Sequence, residues 1–468
     1  MKQQQTRRLT SLMRCDKVDR HSIKVVFDVG SRDALQAIEF SEEFSKAEVW
    51  AFECNPDTLP LLRSNISALP RVHCVEAAVS DETGTVQFFK IDTTRTQTSH
   101  ADGNPGASSL FVANGEYPFE KYEQEPVSVE AITLDAFCEK EGIEQVDVIW
   151  MDLQGAELKA LHGFERHLRK TRYIQVELTH FEIYRGQPLF SDVDRFLLER
   201  GFVRLTEANP NSYFEDVIYR NEAFFRVDPR RVVLEQPWGG LGDNLQFSTL
   251  PELYARKGVS VYLSVGNKVR SPEILSTVWS ENPYVKGVLD EAPTIGAILG
   301  DAYDALPKDL PFIQRIEKAH GFEPENRFPK IYQIPPVRPE VSGKVLLDLT
   351  SVSFSGGTEK LQRYLQSTLA WYKIPLEKLL QVRFANYNPA LGLYVEGLEN
   401  ITVDSLEDYC AALFSASGLI TVHSGAKSLA VAIRQLPGSC LRTIHSYATP
   451  IQFNYRNFIY DQVHYYVE

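Results

Sequence analysis

Short apolar runs separated by longer amphipathic stretches begin at Lys24 and organise most of the chain. The runs are KVVFDV (24–29), VWAFEC (49–54), VHCVEA (72–77), VDVIWM (146–151) and YIQVEL (173–178). Between them, apolar residues recur at spacings of three and four over 33–44, 58–66, 134–141 and 156–168, which predicts helices. Strands alternating with helices imply a parallel sheet covered on both faces. Two further strands, 202–205 and 217–219, are expected to close this region after a helix around 193–200.

The charged, proline-containing stretch 222–231 reads as a connector. A second alternation starts at VVLEQPWGGLGDN (232–244), continues at 259–265, restarts at KVLLDL (344–349) and ends with GLITV (418–422) before a glycine turn and a helix. Between its halves, IPPVRPEV (334–341) reads as a linker, since neighbouring prolines favour extended geometry. The expected organisation is a polar tail or short capping helix at 1–22, a domain at 23–222, and a second domain at 231–468 with lobes 231–333 and 343–468.

Composition narrows the function classes. The 468 residues carry 62 acidic and 49 basic side chains, a formal net charge of −13. A phosphate-backbone binder relies on Lys and Arg to displace counterions, so nucleic acid is excluded as a partner. No run approaches the roughly 18 apolar residues of a membrane span. The start, MKQQQTRRLTSLMRC, lacks the apolar core of a signal peptide. Six cysteines without a C-x-x-C pair read as reduced thiols, and the expected setting is cytoplasmic. Peripheral membrane contact and a homo-oligomer stay open.

The candidate chemistry gathers at strand ends. Asp28 and Gly30 end the first run, with Ser31 beginning the turn; Glu53 and Asn55 end the second; Asp152 ends the fourth. In open parallel sheets, ligands bind outside the carboxyl ends of the strands. An acid about 20 residues beyond the glycine turn suits ribose hydroxyls, and Glu53 stands there. The fingerprint G-x-G-x-x-G is absent, which favours a nucleoside ligand lacking a pyrophosphate over NAD and leaves an NAD-dependent sugar-modifying enzyme disfavoured.

The segments VFDVGSRDALQ (26–36), AFECNPDTLPLLRSNI (51–66), EAAVSDETGTVQFF (76–89), GASSLF (106–111), VSVEAITLDAFC (127–138), VDVIWMDLQGAELKALHGF (146–164) and VELTHFEIYRGQPLFSDVDRFLLERGF (176–202) occur in the order found in one family. Over about 24–215 the chain resembles the FkbM-type S-adenosylmethionine-dependent methyltransferases, which implies the class I methyltransferase sheet. Ala34 stands where the family's glycine motif has a second glycine. The resemblance implies that Asp28, Gly30 and Ser31 lie beside the methionine part of S-adenosylmethionine, that Glu53 takes the ribose hydroxyls, and that Asn55 and the turn at Ala78 line the adenine. Methyl transfer to a sugar hydroxyl needs alignment and a base, and the candidates are Asp152, Glu177 and His180. The loop IYRGQPLF, with Tyr184, Arg185 and Gln187, is the expected lip for a sugar or glycan acceptor. A divalent metal that acidifies the hydroxyl is compatible with these residues, but their spacing is no metal signature, so the metal is unknown.

In the second half, WGGLGDNL (238–245) is a glycine-rich strand-to-helix turn that resembles the amino-terminal turn of GT-B glycosyltransferases of the heptosyltransferase type. The resemblance implies two smaller Rossmann-like lobes, with Asp243 as base on an acceptor hydroxyl. It also implies a sugar-nucleotide donor site at His423, Ser424 and Lys427, helped by the loop 355–358. His423 replaces the acidic residue familiar in that donor loop. The combined expectation is a sugar O-methyltransferase fused to a glycosyltransferase-like module. Its alternatives are a catalytically degenerate glycan-binding scaffold and a methyltransferase for a non-glycan small molecule.

Overall fold

The computed structural model describes residues 2–293, 310–350, 358–385, 394–450 and 458–467. The chain divides into two compact units: Met1–Thr10 with Val18–Val227, and Ser11–Lys17 with Asp228–Glu468. Of the two readings of the N-terminal stretch, tail or short helix, the structure has a helix over Lys2–Cys15. Polar bonds hold its end: within the second unit, Lys17 Nζ donates to the carbonyls of Ser280 and Asn282 at 3.0 and 2.8 Å, and Asp16 accepts from the Val288 N–H.

The first unit contains strands β1 (Val25–Val29), β2 (Glu48–Phe52), β3 (Val72–Val75), β4 (Ala78–Val79), β5 (Gly84–Ile91), β6 (Gln124–Ile132), β7 (Val148–Met151), β8 (Tyr173–Thr179), β9 (Phe202–Arg204) and β10 (Phe214–Asn221). Seven of them form one sheet in the order β3-β2-β1-β7-β8-β10-β9. All its pairs are parallel except those of β10, which runs antiparallel to β8 and β9. Phe27, Phe52 and Phe137 meet edge to face at 4.9–5.8 Å on one side of this sheet, within a buried cluster that also holds Ile149, Leu161 and Val176. Such aromatic pairs add to their area burial and fix the packing of the helix Leu134–Glu141. That helix begins on Thr133, whose hydroxyl accepts from the Ala136 N–H, and ends on Gly142 at φ +68°.

The helix expected over 156–168 is divided into Glu157–His162 and Glu165–Leu168. The division falls at Gly163, where a Cβ would stand 2.2 Å from the Ser80 carbonyl oxygen. A further three-stranded sheet, β4-β6-β5, has no counterpart in the expected runs. Its β5 and β6 pair antiparallel from Gly84↔Ala131 to Ile91↔Gln124, so residues 92–123 form one long excursion between them.

The second unit contains a parallel three-stranded sheet, β11 (Arg231–Leu234), β12 (Ser260–Ser264) and β13 (Val285–Leu289), in that order. It also contains β14 (Val345–Asp348), β15 (Leu379–Phe384), β16 (Asn400–Val403), β17 (Gly418–Thr421), β18 (Thr443–Ala448) and β19 (His464–Val467), arranged as a parallel sheet β16-β15-β14-β17-β18-β19. The second alternation therefore runs beyond 418–422. In β18 the buried polar residues His445 and Ser446 interrupt the apolar pattern that would have announced it. No helix among the described residues is long and apolar enough to cross a membrane.

Candidate active site

Register places the strand-end residues of the first unit in one row. Val29 pairs with Phe52 and Met151, and Met151 pairs with Val176. The next residue on each strand is therefore Gly30, Glu53, Asp152 or Glu177. All four line a cavity of about 410 Å³ whose wall also includes Asn55, Ala78 and Trp150. Gly30 has φ +87°, and a Cβ there would come within 1.9 Å of the Asp152 carbonyl oxygen, so only glycine permits this approach of β1 to β7.

Glu53 is buried beneath this space. Its carboxylate accepts from the backbone N–H groups of Arg32, Cys54 and Asn55 at 2.6–2.8 Å. Burial nevertheless dominates and pushes its pKa up to about 7. Asn55 donates from Nδ2 to Ser108 Oγ at 3.2 Å and accepts from the Asp57 N–H at 3.0 Å. Gln154 joins the next two carboxylates: Nε2 donates to Asp152 Oδ1 at 2.7 Å and to Glu177 Oε2 at 3.3 Å. Its own Oε1 accepts from the Tyr184 hydroxyl at 3.1 Å.

Asp28 and Ser31 stand behind the cavity wall. Ser31 Oγ and the Ala37 N–H both donate to Asp28 Oδ2, at 2.5 and 3.1 Å, so the Asp28 carboxylate braces the turn into the helix Leu35–Glu43. Ala34, in that turn, has φ +63°, a left-handed conformation in which glycine is free of the strain a Cβ brings.

His180 does not line the cavity. It lies just past the end of β8, three residues after Glu177, with Nε2 2.5 Å from Glu215 Oε1 and its ring stacked on Phe190. The expected acceptor lip is built differently as well. Tyr184 is fully buried and donates to the Ala107 carbonyl at 2.7 Å, supporting the wall from behind. Gln187 is buried, accepting from the N–H groups of Ile183 and Tyr184 and donating to Thr179 Oγ1. Arg185 is exposed outside the cavity. These residues are polar because the turn's own backbone needs partners, a demand that sequence alone does not separate from ligand binding.

The missing part of the wall comes from the excursion 92–123. His100, Asn104, Tyr117, Glu120 and Tyr122 line the cavity, and none was among the expected residues. Glu120 accepts from the Tyr122 hydroxyl at 2.7 Å, from Asn104 Nδ2 at 3.0 Å and from Thr98 Oγ1. The available signal was the period-two alternation in TVQF (85–88) and VSVEA (127–131), which marks a strand pair and makes the segment between them a loop returning to the same edge.

Residues 28–204 match the family model described as "Methyltransferase FkbM domain". The chain is 33% identical over 208 residues to "2-O-methyltransferase NoeI" of Sinorhizobium fredii, a match spanning 42% of this chain and 79% of that protein. The chain belongs to the FkbM methyltransferase family. A second relative, "Hexuronic acid methyltransferase AglP" of Haloferax volcanii, is 26% identical over 155 residues, 33% of this chain and 55% of the other. Among solved structures, the iron-containing dodecameric glycosyltransferase TibC of enterotoxigenic E. coli aligns with TM-score 0.38 and 16% identity, over 51% of this chain and 63% of TibC. That likeness is too loose to assign a fold.

Outside the FkbM domain, the second unit brings its expected residues together. Gly242 and Gly425 stand in the first turns of two helices, Leu241–Phe247 and Gly425–Arg434, that cross closely: a Cβ on Gly425 would lie 3.0 Å from the Gly242 nitrogen. Asp243 therefore lies near the turn carrying His423 and Ser424, and burial raises its pKa. Lys427 departs from its expected role as a cation open to a diphosphate. It is fully buried, its Nζ lies 2.8 Å from His423 Nδ1, and burial drives its pKa well down. The same burial, with Lys427 second, lowers His423 to about 3. Of the loop 355–358, residues 355–357 lie outside the described residues, as does the side chain of Thr358. No cluster of three or more His, Cys, Asp or Glu able to hold a metal occurs among the described residues.

Proposed function

We propose that the FkbM domain transfers a methyl group from S-adenosylmethionine to a sugar hydroxyl of a glycan. The observation that carries this reading is the row Gly30, Glu53, Asp152 and Glu177 around one cavity. The donor set suits the cofactor: a bare glycine floor admits its methionine part, the Glu53 carboxylate accepts ribose hydroxyls, and Asn55 with Ala78 borders the adenine. S-adenosylmethionine supplies an already activated methyl on a sulfonium. What the chain adds is orientation and a proton acceptor. Gln154 holds the Asp152 and Glu177 carboxylates side by side, which places either one to accept the hydroxyl proton. The names of two relatives, one a 2-O-methyltransferase and the other a hexuronic acid methyltransferase, favour a sugar hydroxyl as acceptor.

For the second unit we propose a glycosyltransferase-like module, supported by its two parallel sheets and by the placement of Asp243 beside the His423 turn. The burial of Lys427 on His423 favours a second reading, a module that binds glycan without transferring sugar. Free thiols at all six cysteines support a reducing, cytoplasmic setting.

Calorimetry with S-adenosylmethionine tests the first assignment. Binding by the wild type that is lost in Glu53→Ala is the expected result, and no wild-type binding overturns it. For the second unit, sugar-nucleotide turnover lost in Asp243→Asn supports transfer, and its absence in the wild type supports binding alone.

A further inference from the structure

Tyr117 and Phe214 line the cavity and meet at 5.7 Å, and from them an aromatic surface continues outward. Tyr213 lies 5.3 Å from Tyr117, 5.6 Å from Phe119 and 4.8 Å from Phe181. Phe119 is 71% exposed and Phe181 41%. Single exposed phenylalanines are ordinary, but these rings come from three separate segments and form one patch joined to a cavity, which marks a binding surface. Aromatic faces stack against the C–H faces of pyranose rings while leaving sugar hydroxyls in water, and they lose little conformational freedom in doing so.

Charge narrows the occupant. The cavity is lined by the carboxyl groups of Glu53, Glu120, Asp152 and Glu177. Its basic lining residues are engaged: Arg32 pairs with Asp102, and His100 Nε2 stands 3.9 Å from Glu120 Oε1. A uronate entering here meets like charge, with no unengaged cation among the described lining residues.

Resting on the glycan reading above, we propose that Tyr117, Phe119, Phe181 and Tyr213 form a subsite for the sugar ring adjoining the methylated one, and that the acceptor is an uncharged oligosaccharide. This separates the chain from its relative named for hexuronic acid.

The test measures methyl transfer from labelled S-adenosylmethionine to cello-, manno- and chitotetraose, to tetragalacturonate, and to the matching monosaccharides. Saturation-transfer NMR of each tetrasaccharide accompanies the kinetics. The wild type is expected to favour a neutral tetrasaccharide over its monosaccharide by about tenfold in kcat/KM, carried by KM. Phe119→Ala, at an exposed position that does not endanger folding, and Tyr213→Ala erase that preference; Phe119→Trp keeps it. Calorimetric binding of S-adenosylmethionine stays within about twofold in all three. The subsite is overturned if Phe119→Ala and Tyr213→Ala retain the tetrasaccharide preference and the NMR contacts, or if tetragalacturonate serves equally well. A wild type that binds S-adenosylmethionine yet neither methylates nor contacts any of these sugars overturns the glycan reading itself, and the subsite with it.

Discussion

The two units treat their strand-end polar residues in opposite ways. In the first, Glu53, Asp152 and Glu177 face a shared space, and backbone N–H groups or Gln154 hold each in place. In the second, His423 and Lys427 face each other, while Gln246, Tyr460 and Ser428 complete a buried hydrogen-bonded chain between two helices. Polar groups that surround a space are available to a ligand; groups that satisfy one another are part of the packing. Similar glycine turns can therefore serve a site in one unit and a helix crossing in the other.

The largest effect that would break this contrast is expected at Gly30. Gly30→Val places a Cβ into the Asp152 carbonyl and adds about 1–2 kcal/mol of left-handed strain, so ligand binding should vanish by calorimetry and the first unit should melt earlier. Binding within tenfold of wild type would show that the cavity floor is not where the ligand sits. Glu53 sharpens the same side through pH. Its folded pKa is raised to about 7, so its protonated form stabilises the fold fully below about 4.5, and that contribution is lost as pH rises through about 7. Hydroxyl acceptance needs the carboxylate, so the affinity for S-adenosylmethionine should strengthen about tenfold per pH unit up to about 7 and then level off. Titrations in Glu53→Gln should be flat over the same range.

On the other side, Lys427 tests whether the second cluster is structural. Its folded pKa is depressed, so the unfolded chain binds the extra proton, and stability rises with pH until the unfolded lysine titrates near 10.5. Denaturant midpoints between pH 8 and 10 should rise in the wild type, and Lys427→Met should flatten that rise by up to about 1.4 kcal/mol per pH unit. An unchanged slope would mean that Lys427 is solvated and free to meet a diphosphate. The smallest change is expected at Ala34, where φ is +63°. Ala34→Gly should stabilise the first unit by about 1 kcal/mol in thermal unfolding while leaving methyl transfer within about twofold.

Legibility followed the range of the interaction. Gly30, Glu53 and Asp152 each end an apolar run, and a parallel register turns three run ends into one row. Glu177 and His180 are three residues apart at one strand's end, and nothing local distinguishes them; the antiparallel neighbour β10 supplies Glu215 as partner to His180, whereas Glu177 faces Gln154. Tyr184 and Gln187 have the polar chemistry of a lip and the positions of a brace. The excursion 92–123 shows little periodicity of its own, so its share of the wall went unread.

By itself the amino-acid sequence determined the alternating α/β plan, the strand-end row and the family, because periodicity, turn chemistry and motif order are properties of neighbouring residues. Only the tertiary structure decided that His180 and Lys427 are engaged by other side chains, that Tyr184 supports the wall, and that aromatic residues from three segments meet beside the cavity. Those outcomes depend on which distant groups are brought together and how much water is left between them, and the same residue becomes a ligand or a packing element accordingly.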